Sequence, residues 1–156
     1  MEKILITGAT YGLGVRVAKM LESSFEVVLS ASENIPEFMS HKIISIPKGV
    51  NPTFAHEMLK LALDKGCSYI LPLLLLEIES LSESLVLFEE YGITVLCPSK
   101  AQLEDMEIVP NPPKELPLSV LVNKRDLLTQ REVDIEANGL GIISDSGEEF
   151  LLAIAR

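Results

Sequence analysis

A chain of 156 residues with 47% hydrophobic content is the size of one ordinary domain and carries apolar material enough for a sizeable core without metals or disulfides. Its formal net charge of −10, from 23 acidic against 13 basic residues, would repel nucleic acid and anionic membranes, since phosphate-backbone affinity comes largely from Lys and Arg releasing counterions. The two cysteines, Cys67 and Cys97, each lie inside an apolar run, which implies small buried hydrophobes and suits a reducing cytoplasm rather than a disulfide framework or a metal cluster.

Met1-Glu2-Lys3 leads into only Ile4-Leu5-Ile6 before Thr7-Gly8, which is not the pattern of a targeting signal. The longest greasy stretch, Tyr69 to Leu76, contains Pro72 and is too short to cross a bilayer. A soluble, cytoplasmic protein is expected.

Lys3–Thr7 is a short apolar run ending at glycine, and Val15, Ala18, Met20 and Leu21 then follow a helical period that closes near Ser23-Ser24. Phe25–Ser30, with Val27-Val28-Leu29 at its centre, predicts a second buried strand, and Lys42–Ile46 a third that Pro47 stops. Asn51-Pro52-Thr53 offers a helix start; Phe54, Met58, Leu59, Leu61 and Ala62 give that helix one apolar face as far as Gly66. Ser68–Leu71 reads as a fourth strand ending at Pro72. One amphipathic helix then carries Ile78, Leu81, Leu85 and Phe88 inward and stops at Gly92, with Glu77, Glu79, Glu83, Glu89 and Glu90 facing water. Ile93–Cys97 predicts a fifth strand.

Strands alternating with helices at this spacing require crossover connections, and so an α/β fold: a Rossmann-like open parallel sheet of about five strands with helices on both faces. Pro110, Pro112, Pro113 and Pro117 then fall within eight positions, which predicts an extended connection over 110–117 between a first unit, 1–109, and a short C-terminal β/α extension, 118–156. In that extension the acidic pair Glu148-Glu149 suits the first turn of a last helix.

The strongest local signal is Thr7-Gly8-Ala9-Thr10-Tyr11-Gly12-Leu13-Gly14, a glycine turn between a predicted strand and a predicted helix. Gly8 permits a tight turn, Gly12 lets backbone N–H groups approach a phosphate, and Gly14 lets helix and strand pack closely. These eight residues, with Ser30 at the end of the second strand, are the candidate binding residues for a nucleotide or NAD(P). The alternative is a tight βα turn that holds nothing. The second strand ends Leu29-Ser30-Ala31-Ser32, so the acid that would grip a ribose diol is displaced to Glu33, and no Arg or Lys stands between Met20 and His41 for a 2′-phosphate.

TGATYGLG resembles the first turn of the short-chain dehydrogenases, which implies NAD(P). That family's proton donor is a tyrosine four positions before a lysine, whereas Tyr11, Tyr69 and Tyr91 are followed at that spacing by Val15, Leu73 and Val95. Residues 3 to about 104 resemble the domain that precedes the ATP-grasp fold in carbamoyl-phosphate synthetase large subunits and related carboxylate-amine ligases. ILITGATYGLG, HKIISIPKG, CSYILPLLLLEIESLSE and YGITVLCPS fall in the order of its strands and turns. The resemblance implies a scaffolding or substrate-side domain that is not catalytic alone, with ATP and magnesium held by later domains. ANGLGIISDSGEEFLLAIAR is similar to the glycine loop, strand and helix that begin an ATP-grasp domain, with Gly139 and Gly141 as loop glycines. The strand lysine expected just before that loop is replaced by Ile135-Glu136, and Lys124 lies too early. The magnesium carboxylates would fall beyond the end of this sequence, so no metal clamp for phosphoryl transfer is expected here.

LSVLVNKRDLL resembles the guanine-recognition segment of GTPases through Asn123, Lys124 and Asp126, but Gly8 to Arg16 has no phosphate-loop lysine, and the segment reads as a strand ending in a polar turn. His41 and His56 are isolated and read as surface or capping residues. Glu77 and Glu79, just after the fourth strand, could face a cleft, but a solvated helix start is the expectation. Three readings follow: a ligase-associated domain with an ATP-grasp chain or a second copy as partner, an atypical NAD(P)-binding enzyme or redox sensor, or a structural interaction module.

Overall fold

The computed structural model describes all 156 residues. The first half alternates as expected: β1 (Lys3–Ile6), α1 (Gly12–Leu21), β2 (Glu26–Ala31), a short 3-10 turn (Glu37–Met39), β3 (Ile43–Ser45), α2 (Phe54–Lys65) and β4 (Tyr69–Leu71). Then come α3 (Leu75–Ser82), α4 (Leu85–Glu90), β5 (Thr94–Val95) and α5 (Lys100–Glu104). The five strands form one parallel sheet in the order β3-β2-β1-β4-β5, with Leu5 in register with Val28 on one side and Ile70 on the other. Strand order therefore reverses direction between β1 and β4, and a Rossmann-like open α/β fold is the result.

Helices cover both faces because alternate residues of each central strand point oppositely. Leu5 and Ile70 pack with Phe54, Met58 and Ala62 of α2, Ile78 and Leu81 of α3 and Phe88 of α4. Ile4, Ile6 and Leu71 pack with Leu13, Val17 and Leu21 of α1. The single helix expected from Glu77 to Gly92 is instead two. Ser82, the last residue of α3, turns its hydroxyl back to the Glu79 carbonyl at 2.7 Å, and Ser84, with non-helical backbone, stands at the N-cap of α4. No helix is long and apolar enough to cross a membrane.

The C-terminal part is a second sheet, ordered β6-β10-β9-β7-β8, from β6 (Ile108–Pro110), β7 (Ser119–Val122), β8 (Arg125–Asp126), β9 (Gly139–Ile143) and β10 (Phe150–Ile154). The helix expected after Glu148-Glu149 is β10. Phe150, Leu152 and Ile154 enter the core containing Leu5 while Ala153 and Ala155 enter the core containing Ile4, so the segment has period 2 and is buried on both faces. A strand buried on both faces reads as a continuous apolar run, which cannot be told from a buried helix by periodicity alone. The loop glycines expected of an ATP-grasp start, Gly139 and Gly141, lie within β9, where a Cβ on Gly141 would collide with Phe150 and the Leu151 carbonyl.

The proline-rich connection is anchored. Pro110 ends β6 at the outer edge of the sheet, where its missing N–H interrupts no ladder. Arg16 on α1 donates to the carbonyls of Pro112 and Pro113, both at 3.2 Å, and of Leu116 at 2.5 Å. Asn123 and Lys124 adopt φ of 51° and 61° and form the two-residue turn between β7 and β8. Asp126 Oδ1 accepts from the Leu128 and Thr129 amides, at 2.8 and 3.2 Å, so the carboxylate that resembled a base reader holds a turn.

Candidate functional site

In open parallel sheets the crevice for a ligand opens beyond the carboxyl ends of the strands where their order reverses, here β1 and β4. A cleft of about 710 Å³ lies there. Its walls come from the glycine turn (Tyr11), the exit of β2 (Ser32 and Glu33), the connection after β3 (Lys48 and Gly49), the start of α3 (Leu74 to Glu77) and the end of β10 (Ile154 to Arg156).

Thr7 and Glu77 bind these walls together. Thr7, fully buried, donates from Oγ1 to Glu77 Oε1 at 2.5 Å and accepts from the Leu73 amide at 2.8 Å. The same Oε1 accepts from the Leu74 amide at 3.3 Å, so Glu77 reaches back over the first turn of α3 and satisfies one of its free donors. Glu77 is thus 0% exposed, which corrects the expectation of a solvated helix start; Glu79 is exposed as expected. A buried carboxyl holds its proton more tightly, and burial pushes Glu77 up to about 7 against the lowering effect of hydrogen bonds from Thr7 and the Leu74 and Leu73 amides. The second oxygen, Oε2, is buried with no hydrogen-bond partner. Burial first, then the carboxylates of Glu33 and Glu77, raise the Tyr11 phenol.

Backbone fits close around this pair. Gly49 packs on the start of α3, where a Cβ would lie 2.5 Å from the Glu77 nitrogen. At Gly14 a Cβ would run into the Gly8 carbonyl oxygen, so the third glycine permits the close approach of α1 to the turn that follows β1.

The nine residues singled out from sequence separate by role. Tyr11 lines the cleft, and Thr7 lies buried behind it, bonded to Glu77. Gly8, with φ of 62°, makes the turn, and its carbonyl accepts from the Tyr11 amide at 3.0 Å. Gly12 is exposed at the first position of α1, Thr10 is half-buried, and Leu13 and Gly14 face inward. The Ala9 amide donates to the Ser30 carbonyl at 3.1 Å, and the Ser30 hydroxyl donates to the Ile6 carbonyl at 2.9 Å. Ser30 therefore staples β2 to β1 and to the turn inside the sheet, and the residues after β2 that reach the cleft are Ser32 and Glu33.

Sequence reasoning weighed Glu77 and set it aside, and it missed Lys48, Gly49 and the end of β10. Glu77, directly after the run LPLLLL, was the available signal, because a carboxylate set against an apolar run is either a partnered core group or part of a site. Elsewhere, His41 and His56 are exposed, and no three His, Cys, Asp or Glu side chains converge. Comparison with protein-family models gives no match, and neither does a search of curated proteins.

Proposed function

We propose that the chain is a scaffolding or substrate-side domain of an ATP-dependent ligase, similar to the domain before the ATP-grasp fold in carbamoyl-phosphate synthetases, and that catalysis requires a separate ATP-grasp core. The observation that carries this reading is the meeting of Thr7 and Glu77 at the mouth of the parallel sheet. These residues come from ILITGATYGLG and CSYILPLLLLEIESLSE, two segments on which the resemblance rests, and in space they build one cleft. The glycine turn from Gly8 to Arg16 carries no phosphate-loop lysine followed by a magnesium-binding hydroxyl, and Glu33 and Glu77 line the cleft beside it, so the cleft suits holding a substrate better than transferring a phosphoryl group. The test is ATP turnover by the purified chain alone and after addition of an ATP-grasp core chain from the same source. Turnover is expected only in the mixture; hydrolysis by the chain alone would overturn the proposal.

One observation favours a second reading, NAD(P) binding. Glu33, two residues past the end of β2, lines the same cleft as Tyr11, where an acid can accept from a ribose diol. Saturable binding of NADH in a fluorescence titration, lost in Glu33→Gln, would replace the ligase reading with this one.

A further inference from the structure

The Thr7–Glu77 pair closes the cleft with a single carboxyl group. Three segments depend on it: the turn after β1 through Thr7 Oγ1, the exit of β4 through the Leu73 amide that Thr7 receives, and the first turn of α3 through the Leu74 amide. A fourth, the connection after β3, packs with Gly49 against the Glu77 backbone. Only one oxygen of the carboxyl is satisfied, and Oε2 is buried without a partner. A protonated carboxyl tolerates that arrangement far better than a carboxylate, whose unpaired charge in a dry site demands solvent or a counter-ion.

We propose that Glu77 is a proton-operated latch on the cleft: protonated, it ties the glycine turn to β4 and α3, and on losing its proton the unpartnered Oε2 draws in solvent, so the cleft wall moves and the Leu73 and Leu74 amides are exposed.

The charged and titratable groups that share the cleft are Tyr11 from the glycine turn, Glu33 from the exit of β2, Lys48 from the connection after β3 and Arg156 from the end of β10. Glu33 acts on Glu77 in the same direction as burial, against ionisation. Tyr11 shares the cleft with both, its phenol raised by burial and then by the two carboxylates. The walls that the latch joins are also those on which any ligand of the cleft would rest. A ligand that needs the closed cleft is therefore bound with uptake of a proton, whichever reading of the chain's activity holds.

The test is amide hydrogen exchange of Leu73 and Leu74 in the intact chain as a function of pH, corrected for intrinsic exchange. One proton held tightly by the closed form and weakly by the open form makes protection fall by up to about tenfold per pH unit between the two affinities and level off above the higher one. The fall is expected between pH 5 and about 7, while amides in β1 away from the latch keep their protection. In Glu77→Gln, which stays neutral and keeps an acceptor for Thr7 and Leu74, the profile is expected to be flat. In Glu33→Gln, which leaves the latch intact, the levelling point moves to lower pH. Protection that is flat in the unmodified chain, or that falls equally in a folded Glu77→Gln, overturns the proposal; the first and third arms decide the matter if Glu77→Gln does not fold.

Discussion

Thr7 Oγ1 and Glu77 Oε1 lie 2.5 Å apart although 70 positions separate them in sequence, and that bond joins the end of β1 to the start of α3 at the point where strand order reverses. The bond is fully buried, so its loss is not repaired by water. Thr7→Val keeps the shape and removes the hydroxyl, leaving Glu77 Oε1 and the Leu73 amide short of a partner. The expected loss is about 1–3 kcal/mol in denaturant unfolding, where Thr7→Ser should cost less.

Burial of Glu77 also predicts how stability depends on pH. Its carboxyl titrates at about 7 in the folded chain and near the ordinary 4.5 when unfolded. The unfolded chain thus releases this proton first, and the contribution is fully present below pH 4.5, declines between 4.5 and 7, and is gone above. The size is roughly 3 kcal/mol, from about 1.4 kcal/mol per unit of difference. Urea unfolding midpoints between pH 5 and 8 check it: this part of the pH dependence should vanish in Glu77→Gln.

Gly14 is the position in the glycine turn where a side chain cannot fit. Its Cβ would meet backbone, the Gly8 carbonyl, rather than a movable side chain. Gly14→Ala is expected to cost roughly 1–3 kcal/mol or more in thermal unfolding by forcing α1 away from the turn after β1. Gly12→Ala, exposed with nothing within 4 Å, should cost little in the same thermal unfolding experiment.

Much of this architecture is legible in the sequence. The five parallel strands follow from short β-branched runs cut by glycine and proline, because burial on both faces demands such runs. The final strand was not legible as one, since FLLAIA satisfies two cores at period 2 while presenting no polar face to reveal its period. The site was half legible: local spacing marks the glycine turn, but whether Glu77 faces water or Thr7 is decided by a partner 70 residues away, which no local pattern encodes. The misplacement of Ser30 has the same origin, because its hydroxyl is consumed by a neighbouring strand's carbonyl.

Arg16 holds the proline-rich connection by three carbonyls. Arg16→Ala is expected to expose residues 111–117 to limited proteolysis at a protease concentration that leaves the unmodified chain intact. Arg16→Lys should protect only partly, since an ammonium lacks the planar fork that reaches several acceptors at once.

Cys67 and Cys97 are buried, and burial pushes the Cys97 thiol up to about 12. The thiolate is the reactive form, so neither cysteine should label with a thiol reagent at pH 8 until denaturant is added. Mass spectrometry of the labelled native chain checks this.

The most direct measurement is a carbon-13 NMR titration of the Glu77 side-chain carboxyl in the intact protein. A midpoint near 7 is the result expected of a carboxyl that closes the cleft in its protonated form. A midpoint near the ordinary 4.5 would contradict a carboxyl that closes the cleft in its protonated form.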